Sequence, residues 1–169
     1  PVPSRVASVI RPRAGGGALV ATERGIALGR EEDLSDLKEV VSLTDDPTIR
    51  TNEGGCDPDG RFWVGTMSYD KVVGAAGVYR WDGPGTAPVL AWSGATTANG
   101  LGFSPDGELG YWVDTPTRMV TVLDYDARAG LADPRPFVDI DEGAGKPDGL
   151  CVDAEGGVWV ALHRGSAVR

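Results

Sequence analysis

Cysteine, histidine and long apolar runs are all scarce in this 169-residue chain. Two cysteines, Cys56 and Cys151, cannot make a disulfide scaffold, and both are expected to be reduced and buried. The one histidine, His163, ends the run "VWVALH" with no second His or Cys near it. That excludes a zinc or triad spacing in sequence, so a satisfied or exposed imidazole is expected. No apolar run approaches the roughly 20 residues that span a bilayer. No charged-then-apolar leader opens the chain, so the expected compartment is the cytoplasm, with no membrane partner. Basic charge is also short: 16 Lys and Arg against 25 Asp and Glu give a net charge of −9 with no basic cluster. A nucleic-acid partner is therefore not expected. "GAGKPDG" lacks the Ser or Thr and the upstream glycine of a phosphate loop, and there is no G-x-S-x-G elbow. The chain opens "PVPSRVASVI" without Met and stops at "GSAVR", so it reads as a piece of something longer.

Glycine and proline are plentiful, at 25 and 12, but dispersed among apolar runs, which indicates a turn-rich fold and not disorder. Four segments share a polar turn, a glycine and a β-rich run: "RPRAGGGALVATERG", "CDPDGRFWVGTM", "FSPDGELGYWVDT" and "VDAEGGVWVALH". Their turn glycines, Gly16, Gly60, Gly107 and Gly156, lie 44, 47 and 49 residues apart. Periods of about 40–50 residues with several short strands each predict the blades of an all-β propeller. Asp-Pro-Asp-Gly and Ser-Pro-Asp-Gly set Pro and Gly where a tight turn between antiparallel strands needs them. "GVYRW", "PVLAW", "MVTVLDY" and "RPFVDI" are further strands, while "REEDLSDLKEV" is expected to be a loop or single turn at a blade edge. Trp63, Trp112 and Trp159 read as inter-blade packing.

Eight residues before the last three turn glycines stand Asn52, Asn99 and Asp148, with Ser8 at the matching place in the first repeat. Rotation about a propeller axis would gather these positions at one point. Each has a plain alternative: Asn99 and Asp148 as turn residues, Arg50 and Asn52 as a solvated loop. Together, oxygen donors without Cys or His are hard ligands for Ca²⁺, Mg²⁺ or Mn²⁺, and in an open site Zn²⁺. Asp148 offers one negative charge and Glu53 a second. A further carboxylate is expected from elsewhere.

"RTNEGGCDPDGRFWVGTM", "TTANGLGFSPDGELGYWVDT" and "KPDGLCVDAEGGVWVALHRG" resemble three central motifs of the SMP-30/gluconolactonase/regucalcin (LRE-like) family. The resemblance runs along essentially the whole chain. It implies a six-bladed propeller, of which residues 1–169 would be one partial domain of roughly four blades, an incomplete ring. It also implies one divalent cation and hydrolysis of sugar-type lactones. By position, Asn99 and Asp148 match metal ligands. Arg50 and Asn52, with Glu53 beside them, match the substrate-contacting group. Asp148 also matches the proposed general base, with Asp148 or a metal-bound hydroxide activating water. The chain departs from the pattern in having "NEG" where the family usually has Asn-Asp-Gly, and Asp70 is left unassigned. The family's remaining ligand, a Glu in a leading motif, lies upstream of anything present, so this stretch alone is not expected to bind metal tightly or turn over. Two alternatives stand beside the lactonase: a non-enzymatic Ca²⁺-binding propeller or scaffold, and a promiscuous ester or organophosphate hydrolase. Open blade edges would favour self-association.

Overall fold

The structure, a computed structural model, describes residues 4–169. Short runs of Val, Ile, Tyr and Trp, broken every few residues by Gly, Pro or Asp, form four antiparallel sheets in chain order. The first holds β1 (Ala7–Pro12), β2 (Ala18–Thr22), β3 (Gly25–Gly29) and β4 (Lys38–Ser42). The second holds β5 (Ile49–Cys56), β6 (Phe62–Ser68), β7 (Ala76–Trp81) and β8 (Val89–Ala95). The third holds β9 (Ala98–Phe103), β10 (Leu109–Asp114), β11 (Met119–Asp126) and β12 (Gly130–Asp139). The fourth has three described strands, β13 (Lys146–Val152), β14 (Val158–His163) and β15 (Ala167–Val168). Each sheet is a meander, as the repeat predicts. Its first hairpin closes on Gly16, Gly60, Gly107 or Gly156, all with φ between +72° and +88°, where a side chain would be strained.

The first strands of successive sheets lie side by side. Arg11 Nη2 donates to Gly54 O at 2.6 Å, joining β1 to β5, and Asn52 Nδ2 donates to Ala98 O at 2.9 Å, joining β5 to β9. A methyl added at Gly100 would fall 2.8 Å from Asp148 O, so β9 and β13 are as close as backbones allow. Four sheets share an axis lined by β1, β5, β9 and β13, which makes an incomplete propeller.

The core lies between the sheets. Val9, Leu19 and Ile26 meet Phe62, Val64 and Trp81 across the first pair. Trp63 and Val78 meet Ala98 and Leu101 across the second, and Tyr111, Val113 and Val120 meet Val160 and Leu162 across the third. The central strand β6 is buried along its whole length, so it reads as a continuous apolar run without alternation.

Three expectations need correction. Cys56 and Cys151 are free, as expected, but exposed, each lying at or near the end of a first strand, β5 or β13. Residues 38–40 of "REEDLSDLKEV" begin β4, an edge strand exposed along most of its length that gave no apolar alternation to read. Trp63 is 1% exposed and packs near Trp92 (centroids 6.0 Å apart), whereas Trp159 is 50% exposed and does not serve as inter-blade packing among the described residues. The two otherwise match. Asp57 accepts from Trp63 Nε1 at 2.8 Å, and Asp153 accepts from Trp159 Nε1 at 2.7 Å.

Candidate functional site

The first hairpin of every sheet slips register near the start of its inner strand. Ser8 is the extra residue in β1. Asn52 and Glu53 stand opposite Gly65, Asn99 and Gly100 opposite Val113, and Asp148 and Gly149 opposite Ala161. A bulge frees its residues from the ladder and re-aims their side chains. This is why polar residues can stand in strands that are otherwise apolar. The four bulges open on one cavity of about 350 Å³, lined by Ser8, Arg11, Asn52, Glu53, Asn99 and Asp148 together with Val9 and Ile10.

Neighbours orient each polar group. Asn99 is 7% exposed; its amide nitrogen donates to Thr115 Oγ1 at 3.0 Å, which leaves its oxygen for the cavity. Asn52 is held by Ala98 O through its nitrogen, and its oxygen accepts from Arg50 Nη1 at 3.2 Å. Arg50 Nη1 also reaches Thr51 O at 2.8 Å, and its guanidinium lies 6.0 Å from the centre of the Tyr69 ring. Tyr69 in turn donates to Glu23 Oε1 at 2.5 Å. Buried Thr51 donates to Thr22 O, so in the 2.7 Å contact with Ser8 its oxygen is the acceptor and Ser8 the donor. The Asp148 carboxylate is partly open to solvent, with Oδ2 4.0 Å from His163 Nδ1.

Glu53 is the most perturbed group in the cavity. Burial first, and then the neighbouring Asp148 charge, push its carboxyl up to about 7, against a smaller opposing pull from Arg11. Two carboxylates and two amides therefore face one space. Among the described residues no three His, Cys, Asp or Glu side chains gather closely enough to form a cation site by themselves. With the amide oxygens included, the donors are hard and include two carboxyl groups, which fits a divalent cation such as Ca²⁺, Mg²⁺ or Mn²⁺.

All of Asn52, Glu53, Asn99 and Asp148 meet at the cavity, and Arg50 stands behind Asn52 without lining it. Sequence reasoning missed Arg11 and Tyr69, and it missed that His163 stands beside Asp148. A satisfied or exposed imidazole was expected, and His163 is exposed. Its place beside Asp148 follows from the pairing of Lys146 with His163 in the β13–β14 hairpin, which the turn at Gly156 could have indicated.

Residues 1–169, the whole chain, match the family described as the SMP-30/Gluconolactonase/LRE-like region. The chain belongs to that family. It is 35% identical over 169 residues to pentonolactonase XacC of Haloferax volcanii, covering 99% of this chain and 56% of that protein. The solved luciferin-regenerating enzyme superposes with a TM-score of 0.89 at 30% identity, covering 98% of this chain and 58% of the other. A calcium-binding protein, regucalcin from Agrobacterium tumefaciens, superposes with a TM-score of 0.83 at 31% identity, covering 92% and 53%. The chain thus spans little more than half the length of these family members. No helix among the described residues is long and apolar enough to cross a membrane.

Proposed function

We propose that the protein hydrolyses sugar-type lactones with one divalent cation, Asn99 and Asp148 being two of its ligands. The observation that carries this reading is the meeting of four register slips, one per sheet, on a single cavity of oxygen donors. The likeness to a pentonolactonase and to a calcium-binding regucalcin supports both halves of it. When bound, the cation supplies Lewis acidity toward the ring carbonyl. Asp148, open to solvent on one side, takes the proton of the attacking water at a carboxylate oxygen. Among the described residues Arg50 uses only Nη1 for its hydrogen bonds, so Nε and Nη2 are left to donate to substrate oxygens. Asn52 fixes that guanidinium and hence the orientation of the lactone.

A pH-indicator assay of the full chain on a panel of aldonolactones, with and without added cations, tests the reading. Asp148→Asn is expected to lower turnover by about 10²- to 10⁴-fold, the range for a general base. Asn52→Ala removes one positioning hydrogen bond and is expected to cost about tenfold. Comparable losses would refute the assigned roles. Cation binding without hydrolysis of any lactone would favour a calcium-binding protein instead.

A further inference from the structure

We propose that Glu53 reaches across the channel and ligates the cation directly, as a second carboxylate beside Asp148. This deepens the reading of the cavity as a cation site and rests on it. Three bulges contain a pair of residues: Asn52-Glu53, Asn99-Gly100 and Asp148-Gly149. In the third and fourth sheets the second member is glycine. At Gly100 the reason is contact, since a Cβ there would meet Leu150 N at 2.6 Å and Asp148 O at 2.8 Å. At Gly149 the bare α-carbon receives another residue's side chain. Glu53 Oε2 and Oε1 lie 3.2 and 3.5 Å from where a Cβ would be. The Glu53 side chain therefore spans from β5 past β9 to β13 and ends on the residue that follows Asp148.

What Glu53 meets there leaves its charge unanswered. Arg11, the cation acting on it, donates to Ile10 O at 2.9 Å and Gly54 O at 2.6 Å instead. A partly buried carboxylate next to a second one, with no donor among the described residues, is costly unless a cation joins them. Asn99 points to the same ligand independently. It is 93% buried and lines the same cavity, and its oxygen has no donor among the described residues. Two carboxylates and a carbonyl-type oxygen balance a dication in charge and match it in hardness.

Isothermal titration of the full chain with Ca²⁺, and separately with Mg²⁺, Mn²⁺ and Zn²⁺, reads affinity without any turnover. Glu53→Gln is expected to weaken the preferred cation by more than about 100-fold, beyond the range for a residue that only supports a ligand. Glu53→Asp should weaken it too, because the shorter acid keeps the charge but falls short of Gly149. Circular dichroism and melting confirm that each variant folds. Wild-type affinity in either Glu53 variant would overturn direct ligation, the aspartate result by leaving only long-range charge. Asp148→Asn separates the two levels. If it alone weakens binding, the cation site stands and the Glu53 role falls. If neither residue matters, or if the wild-type chain binds none of the four ions, both fall.

Discussion

Replacing Glu53 with glutamine removes the buried acid of the channel while keeping its shape. In the folded chain the Glu53 carboxyl is pushed from 4.5 to about 7 by burial and by Asp148. Between those values the unfolded chain has released the proton and the folded chain still holds it. Stability linked to this group is therefore present in full below pH 4.5 and is lost as pH rises through about 7. Each tenfold change in proton affinity is worth about 1.4 kcal/mol, so the whole loss is at most about 3.5 kcal/mol, reduced by whatever solvent screens the carboxylate. Urea unfolding without divalent cations at about pH 4 and about pH 8 measures it, the slope m serving as a check that the unfolded state is unchanged. The Glu53→Gln protein is expected to match the wild type at the lower pH and exceed it at the higher one. Parallel curves for the two proteins would show that Glu53 holds no extra proton in the fold.

Two more outcomes follow from the repeat. Asp57 is 5% exposed and accepts from Trp63 Nε1, Arg61 Nε and two backbone amides, so Asp57→Ala strands a buried indole and a guanidinium. It is expected to cost about 3 kcal/mol or more by denaturant titration. Asp153→Ala, the same change in the fourth sheet beside exposed Trp159, should move the midpoint far less. Equal effects would mean that the Asp–Trp bond, and not its burial, sets the cost. Gly100→Ala drives a methyl into the backbone of β13 at Leu150 and Asp148. It is expected to lose about 1–3 kcal/mol of stability in melts and, by moving Asp148, to weaken cation binding in calorimetry.

Much of this arrangement was legible because a turn with a positive-φ glycine fixes a hairpin, and a hairpin fixes an offset. Counting back eight residues reached Asn52, Asn99 and Asp148 and, in the first sheet, Ser8, all of which line the cavity. The bulges were not legible, since a slip of one residue leaves no mark on short apolar runs that are buried on both faces, as in β6. Arg11 and Tyr69 escaped for another reason. They reach the channel region by the length and stacking of a side chain and not by the repeat offset. Burial at the limits of the fold could not be read locally either. Trp63 and Trp159 follow the same turn, and only the sheet packed over Trp63 makes them differ.

The register slips also separate two demands that most strands must meet at once. A residue in the ladder contributes to pairing and packing, so exchanging it disturbs the blade. Asn52, Glu53, Asn99 and Asp148 stand outside that bookkeeping. Their side chains answer to the cavity, while the paired residues on either side keep the blade's register. A ring built this way is a socket whose contacts can be rewired one at a time, so new chemistries could arise on it without first having to solve the folding problem again.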